Sequence, residues 1–383
     1  MRILIAFWLA ALVVLTPAAS AWQDEESYEA PICRKCKKEG RLPCGEHPKA
    51  ECPLENEVLF CSAYMDCEEC AGVGYVDCPK CEHEVAEDTL SKKRDELKLR
   101  SEGWKKLDEE MGFPLRKAES EHFLLVWEVD SMKVAKKRLN DHQLIHLYLR
   151  RLESMHELYT RTFGVTKADF LEKPRVFVWA LPQDQLDGSL RFCRQGSRHG
   201  VRLLGSTPRY SVCGNKQFFS DDEKLHRNIV HSVTHLLFSN QKPSLWIGNL
   251  KGGWADEGLA HWFEEQLFGI CTNYCYQEQN TNVDFKGGKF KVAIRKLVAM
   301  DKAPAVAEVF QQNTDTLTLP MHAACMSYVD FLIHTDSKKF NRLGRRLRQR
   351  VATRDAMKEI FGWNVLQFEV KWKEWVLATY PSR

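Results

Sequence analysis

Two segments of the chain share one cysteine pattern, and this duplication limits the fold more strongly than any other feature. "CRKCKKEGRLPCGEH" (residues 33–47) and "CEECAGVGYVDCPKC" (67–81) superpose when one is shifted by 34 residues. Each unit holds two metal-ligand pairs joined by a turn with glycine, and two C-x2-C-type pairs complete a tetrahedral zinc site. The repeat predicts two zinc ions, held by Cys33, Cys36, Cys44, His47, Cys67, Cys70, Cys78 and Cys81.

Disulfides are the alternative use of these cysteines. The chain has 14 cysteines, and oxidising compartments favour disulfides over free thiols. Disulfides do not need paired C-x2-C spacing with a histidine in register, so the pattern favours zinc within the repeat. Elsewhere three bridges are conceivable: Cys52–Cys61, Cys193–Cys213, and Cys271–Cys275 if the backbone turns sharply.

The second cysteine unit resembles the cysteine-rich zinc domain of DnaJ-type chaperones, whose repeat is CxxCxGxG. Cys67, Cys70, Gly72 and Gly74 match this repeat, whereas Lys38 occupies the first glycine position of the first unit. The resemblance covers about 50 residues and brings no J-domain, so it implies a zinc-binding hairpin rather than chaperone activity. It also implies the pairing of ligands: Cys33/Cys36 with Cys78/Cys81 for one ion, and Cys44/His47 with Cys67/Cys70 for the other.

The first 21 residues have the pattern of a cleaved export signal. Arg2 is followed by an apolar run from residue 3 to 15 and by the small residues Ala19, Ser20 and Ala21. The run is shorter than the roughly 20 residues of a membrane-spanning helix, which disfavours an anchor. No later segment of the sequence is long and apolar enough to span a bilayer. We therefore expect a secreted or periplasmic protein that begins at Trp22.

The composition is that of an ordinary globular protein, with 44% hydrophobic and 28% charged residues. The formal net charge of +3 gives no general attraction to nucleic acid or to anionic membranes. We expect polypeptide or cell-envelope protein partners and no nucleic acid, and the sequence leaves the oligomeric state open.

The rest of the chain predicts an α+β fold. After the cysteine-rich module (residues 32–82), residues 83–111 form a charged helical linker with Leu90, Leu97, Trp104 and Met111 spaced by seven. Residues 119–383 then form one domain with a small early sheet and a mainly helical second half. The expected elements are strands at 122–129 and 175–181, a helix at 132–162 and a closing helix at 361–376.

A second metal motif lies in "NIVHSVTHLLF" (residues 228–238). His231 and His235 are one helical turn apart, as in the zinc-protease pattern H-E-x-x-H, but Ser232 stands where the catalytic glutamate is expected. The apolar residues around them predict a buried helix, and buried imidazoles need partners. His142 and His146 have the same spacing, which we attribute to chance at the surface or in the core.

"WADEGLAHWFEE" (residues 254–265) strengthens the metal interpretation. Trp254, Glu257, Gly258 and Ala260 match W-x-x-E-G-x-A, which in the gluzincin metallopeptidases contains the third zinc ligand. The order of predicted elements over roughly residues 119–380 also resembles a gluzincin, or peptidase MA-like, domain. The resemblance implies a zincin-like fold with one zinc ion held by His231, His235 and Glu257.

Two departures from this family bear on catalysis. A serine hydroxyl at position 232 cannot take a proton from water as a carboxylate does. His322 stands where many members have a tyrosine that steadies the oxyanion, and it is a possible oxyanion donor. Asp256 and Glu264 are candidates for a relocated base, although each is more often a surface acid. His261 is expected to be a partner of a ligand or a polar surface residue rather than a ligand itself.

The sequence thus predicts an exported, zinc-binding, catalytically impaired metallopeptidase homologue that binds a polypeptide or an envelope partner. One alternative is an active zinc metallopeptidase with a relocated base. Another is a structural module without metal in its second half. If only the base has been lost, the substitution Ser232→Glu is expected to raise peptide hydrolysis.

Overall fold

The computed structural model describes residues 34–37, 40–46, 58–65, 67–80, 84–215, 219, 221–275 and 284–382. The protein is mixed α+β, which confirms the predicted fold class. Its strands are β1 (Arg41–Pro43), β2 (Val58–Cys61), β3 (Tyr75–Asp77), β4 (Lys117–Ser120), β5 (Leu124–Trp127), β6 (Ser131–Val134), β7 (Lys137–Asn140), β8 (Arg175–Trp179), β9 (Gly200–Leu203) and β10 (Arg209–Cys213). Its α-helices are α1 (Glu84–Met111), α2 (Asp141–Phe163), α3 (Pro182–Cys193), α4 (Asp222–Asn240), α5 (Gly253–Phe268), α6 (Phe290–Ala299), α7 (Val306–Val309), α8 (Leu319–Arg348), α9 (Thr353–Phe361) and α10 (Val365–Thr379).

A six-stranded mixed sheet with the order β2-β4-β5-β8-β10-β9 organises the first part of the main domain. The central strands β5, β8 and β10 are parallel, and β9 lies antiparallel to β10 at one edge. Alternate side chains face opposite layers. Leu125, Trp127 and Val178 belong to the large core that also contains α2 and α4, whereas Val126 and Phe177 pack on the side of Leu107 and Phe192.

Strands β1 and β3, one from each cysteine unit, form a two-stranded antiparallel sheet. This sheet and the cysteine turns beside it are called the cysteine-rich hairpin below. Leu42 pairs with Val76, its equivalent in the repeat, and Arg41 pairs with Asp77. Two further hydrogen bonds obey the same symmetry: Cys44 N–H donates to the Gly74 carbonyl at 3.0 Å and Cys78 N–H donates to the Gly40 carbonyl at 2.9 Å. The sequence repeat is therefore also a structural repeat.

Helix α1 connects the hairpin to the main domain, as its seven-residue spacing predicts. Leu97 packs with Phe60, Val73 and Tyr75 of the cysteine-rich region, and Trp104 contacts both this cluster and the sheet cluster. Strand β2 also crosses the boundary drawn from the sequence. Although it lies within residues 32–82, it pairs with β4 in the main sheet.

Two expected elements differ from the structure. The helix expected from residue 132 begins only at Asp141, because residues 131–140 form the β6–β7 hairpin with Ala135 at φ +50° in its turn. Asn140 caps α2, and its side chain accepts from Gln143 N–H at 2.8 Å. The closing helix expected at 361–376 corresponds to α10 but begins only at Val365, because α9 ends at Phe361 and Gly362 follows it with φ +76°.

The second half is mainly helical, and close packing of α4, α5 and α8 positions its polar residues. A Cβ atom at Gly258 of α5 would lie 2.4 Å from the Cys325 carbonyl oxygen of α8. The glycine of the W-x-x-E-G-x-A pattern therefore allows two helix backbones to approach closely beside Glu257. None of the described helices combines the length and hydrophobicity needed to cross a bilayer.

Candidate metal centre

Helix α4 carries the histidine pair and is anchored at its N-terminus. The Asp221 side chain accepts from Lys224 N–H at 2.8 Å, which caps the helix. Both carboxylate oxygens of Asp222 accept from the Arg151 guanidinium, at 2.6 and 2.9 Å, and Tyr148 O–H donates to the same carboxylate at 2.9 Å. These contacts fix the start of α4 against α2.

Four ligand-type side chains converge in the buried interior: His231, His235, Glu257 and Cys275. The two histidine Nε2 atoms are 3.2 Å apart, and Cys275 Sγ lies 3.5 Å from that of His231 and 3.3 Å from that of His235. The Glu257 carboxylate oxygens lie 3.7 Å from His231 Nε2 and 3.5 Å from His235 Nε2. The three residues expected from the sequence are together, and Cys275 joins them.

The donor set fits a tetrahedral metal ion. Zinc bonds to nitrogen, oxygen and sulfur imply ligand atoms about 3.3–3.8 Å apart, which matches the distances between these four groups. Among the described residues, neither carboxylate oxygen of Glu257 has a well-aligned hydrogen-bond donor, although the side chain is fully buried. A buried carboxylate without donors is costly, and a shared cation would satisfy it.

Two carboxylates lie behind the histidines. Asp256 Oδ1 is 3.0 Å from His235 Nδ1, and its other oxygen accepts from Trp246 Nε1–H at 2.8 Å. Glu264 Oε2 is 3.2 Å from His231 Nδ1 and 3.1 Å from His261 Nδ1. Such carboxylates orient metal-ligating imidazoles and leave Nε2 directed at the ion. Both acids are buried, so the expectation of surface acids is wrong.

The carboxylates also set the charge state of this cluster. Burial favours neutral imidazole, but Asp256 and Glu257 together raise the pKa of His235 above its ordinary value. Burial opposes ionisation of Glu257, yet His322, His235 and His231 hold its pKa well below the usual range. Burial likewise opposes ionisation of Glu264, and the imidazoles of His231 and His261 lower its pKa to about 2. Negative charge is therefore retained around the histidines.

Ser232 lies beside the four ligands and is held by a residue from the sheet edge. Arg202 of β9 donates one hydrogen bond to Ser232 Oγ at 2.8 Å and another to Cys275 Sγ at 3.1 Å. A cationic donor stabilises a thiolate, the form of cysteine that binds metal. Ser232, His231 and Glu257 all have 0% exposure, so these side chains are buried in the part of the chain that the structure describes.

His261 and His322 form a polar chain on the other side of Glu257. His261 Nε2 lies 3.0 Å from His322 Nδ1, which in turn lies 3.4 Å from Glu257 Oε2. Burial lowers the pKa of His261 to about 4. These positions suit support of the Glu257 carboxylate, and His322 itself is buried. Burial and the nearby Glu257 raise the pKa of the Cys325 thiol well above its usual value, which argues against an activated nucleophile.

The cysteine-rich hairpin brings together three ligands of the expected inner site. Cys44, Cys67 and Cys70 form one ligand-type group, with the Sγ atoms of Cys44 and Cys67 3.8 Å apart. Cys36 and Cys78 are buried thiols. The other expected ligands, Cys33, His47 and Cys81, lie outside the described residues, as do Cys52 and the export signal at residues 1–21.

No disulfide joins the cysteines of the described residues. Cys193 is not bonded to Cys213, nor Cys271 to Cys275, so two of the three bridges considered from the sequence are wrong. The third, Cys52–Cys61, involves a residue outside the described part of the chain. Burial raises the pKa of Cys193 and of Cys213 to about 12.

Comparisons with models of known families, with curated proteins and with solved structures find no match for this chain.

Proposed function

We propose that this protein is an exported zinc-binding homologue of the gluzincin metallopeptidases that has lost catalysis and binds polypeptide or envelope partners. The observation that carries the proposal is the closed set of His231, His235, Glu257 and Cys275. Structural zinc sites have four protein ligands, whereas catalytic sites keep one position open. Cys275 fills the position that a catalytic site would leave to water or substrate.

Ser232 and the burial of the site support the same conclusion. The residue after the first histidine cannot act as a general base, and Arg202 holds its hydroxyl. The candidate replacement bases, Asp256 and Glu264, lie against the Nδ1 atoms of the histidines rather than near the fourth ligand position. An arrangement of this kind stabilises the packing of α4 on α5 and offers substrate no access.

The gluzincin resemblance, the zinc identity of the ions and the DnaJ-type hairpin belong to this proposal. Chemical support for zinc comes from mixed nitrogen, oxygen and sulfur ligands at tetrahedral spacing. The partner class follows from the resemblance, since gluzincins act on polypeptides. An export signal would place both the protein and its partner outside the cytoplasm.

The test measures zinc content and hydrolysis of an unstructured peptide mixture, by elemental analysis and mass spectrometry. We expect wild-type protein to contain zinc and to leave the peptides intact. We also expect Ser232→Glu to remain inactive, because the new carboxylate meets Arg202 while Cys275 still fills the fourth position. From the sequence alone, this substitution is expected to raise peptide hydrolysis; with Cys275 and Arg202 in place, we no longer expect that increase. Efficient hydrolysis by the wild type would instead establish an active peptidase.

A matched comparison separates the two causes of inactivity. Cys275→Ala opens the fourth position without adding a base, and Ser232→Glu with Cys275→Ala supplies both. Hydrolysis in the double variant alone would assign the inactivity to these two positions, whereas no hydrolysis in any variant would assign it to burial of the site. Binding is measured separately, by fluorescence anisotropy with reduced and alkylated lysozyme as an unfolded polypeptide. Absence of saturable binding would reject a general polypeptide partner.

A further inference from the structure

A second group of ligand-type residues, distinct from the α4–α5 centre, lies at the contact between β2 and α2. Cys61 ends β2, and its Sγ lies 3.3 Å from His146 Nε2 and 3.9 Å from His142 Nδ1. The two histidines are one helical turn apart on α2, with ring centroids 4.4 Å apart. All three residues are buried. The pair considered accidental from sequence spacing therefore meets a cysteine from a distant strand.

A thiol–imidazole hydrogen bond accounts for this geometry poorly. A cysteine has one weak S–H donor, yet imidazole nitrogens of two residues face the same sulfur. His146 is 1% exposed, and its Nδ1 has no hydrogen-bond partner among the described residues.

We propose that Cys61, His142 and His146 hold a divalent metal ion of the zinc type. The distances from the sulfur to the two nitrogens are close to the spacing of about 3.3–3.8 Å between ligands of a tetrahedral zinc ion. One thiolate and two neutral imidazoles leave a single positive charge on the complex, which is easier to bury than a bare cation. A further ligand completes the coordination.

The site would join parts of the protein that have separate roles. Strand β2 pairs with β4 in the main sheet, while its Phe60 packs with Val73 and Tyr75 of the cysteine-rich region. A metal ion shared by Cys61 and the two α2 histidines would attach β2 to α2 as well as to β4. The cysteine-rich region is thereby held in a fixed position on the main domain. This inference does not depend on the proposed loss of catalysis.

The test is the number of zinc ions per chain in the purified full-length protein and its variants. We expect Cys61→Ser and His142→Gln each to lower zinc content by one ion per chain relative to wild type. Cys193→Ser is the matched control, because it removes an equally buried thiol from α3, and it is expected to keep the wild-type number. Combining Cys61→Ser with Cys44→Ser should remove two ions, since the sites are distinct.

Far-ultraviolet circular dichroism establishes that each variant is folded before its metal is counted. His142→Gln decides the question if Cys61→Ser fails to fold, since glutamine keeps polar volume at the helix surface. Cobalt substitution adds an independent readout: the thiolate-to-cobalt absorption of the wild type should weaken in His142→Gln but not in Cys193→Ser. The proposal is overturned if the folded variants keep the wild-type zinc number and cobalt absorption.

Discussion

The hairpin and the α4–α5 centre use opposite means to place metal ligands. In the hairpin, Cys67 and Cys70 lie on one tight turn beside Cys44, and the apolar cluster that the described residues form in this region is small. In the helical centre, His231 and Glu257 come from different helices and are held by a continuous core with carboxylates behind the imidazoles. We therefore expect the hairpin to depend on metal for its fold, and the helical centre to be preorganised by packing.

The pKa shifts of the ligand side chains also differ between the two regions. Desolvation is the largest cause that raises the pKa of Cys44, to about 12, and it also raises the pKa of Cys70. A hydrogen bond from the Cys70 backbone lowers the pKa of Cys67 despite some burial, so the three thiols differ. We expect metal binding and folding of the hairpin to be linked, because ligands bind metal as thiolates. In the helical centre, Glu257 and Glu264 are held as anions by the surrounding histidines.

Metal removal should produce the largest contrast between the two regions. Apparent binding free energies of about 10–16 kcal/mol link zinc to folding in small zinc modules. After chelation we expect amide hydrogens of residues 40–46 and 67–80 to lose protection while those of α4 and α5 remain protected. Hydrogen exchange with mass spectrometry measures both regions in one sample. Equal loss in both would contradict the preorganised helical centre.

Substitution of a helical ligand should be costly even without metal. His235→Ala removes the imidazole partner of the buried Asp256 carboxylate and one of the three imidazoles beside Glu257. Breaking a buried pair in this way costs about 3–5 kcal/mol. We expect that loss in urea unfolding of the chelated protein, with His226→Ala on the same helix as control. A smaller loss than in the control would show that the carboxylates do not rely on His235.

The anchor of α4 gives a pH-dependent prediction. Burial opposes ionisation of Asp222, but hydrogen bonds and charge from Arg151 and Tyr148 hold its pKa below the ordinary value. A lowered pKa in the folded state contributes stability above the unfolded value of about 3.9, and this stability is lost as pH falls through the folded value. In chelated protein, Asp222→Asn should cost about 1.5–3 kcal/mol at pH 6 and much less below the folded pKa. A constant difference across this range would reject the ion pair as the cause.

Substitution of the carboxylates behind the histidines should have the smallest effect of these changes, and the effect should be on metal affinity. Asp256→Asn and Glu264→Gln keep the shape of each side chain but weaken its hold on the imidazole. Loss of such partners typically lowers metal affinity about 10–100-fold, or about 1.4–2.7 kcal/mol. Zinc competition with a chromophoric chelator measures it, and Glu265→Gln is the neighbouring control because Glu265 contacts Lys291 instead. Unchanged affinity in both variants would show that packing alone orients the histidines.

Sequence reasoning was most successful where chemistry and spacing are local. Each C-x2-C pair lies within one short turn, and His231 and His235 lie one turn apart on one helix. Glu257 lies in a recognisable sequence pattern. Cys275 lies in a loop 40 residues beyond His235, so only the fold could bring it to the site. Cys61 lies 85 residues before His146 and was missed for the same reason.

The errors in the secondary structure expected from the sequence also have local causes. Apolar spacing over residues 132–162 suggested one helix because Met132 and Leu139 fit its periodicity, yet these residues pack from the β6–β7 hairpin. The capping box at Asn140 and Gln143 was the signal that marked the true start of α2. Asp256 and Glu264 could be identified as relevant acids, but their direction relative to the imidazoles required the structure.

The most direct test of the closed helical centre is an anomalous-scattering map from crystals of the zinc-loaded protein. We predict a zinc peak about 2.0–2.3 Å from one atom each of His231, His235, Glu257 and Cys275. Arg202 should remain beside the Cys275 sulfur. A peak bound by the histidines and Glu257, with Cys275 displaced and solvent in its place, would contradict the closed site and favour an active peptidase. No peak between α4 and α5 would contradict metal binding in this half of the protein.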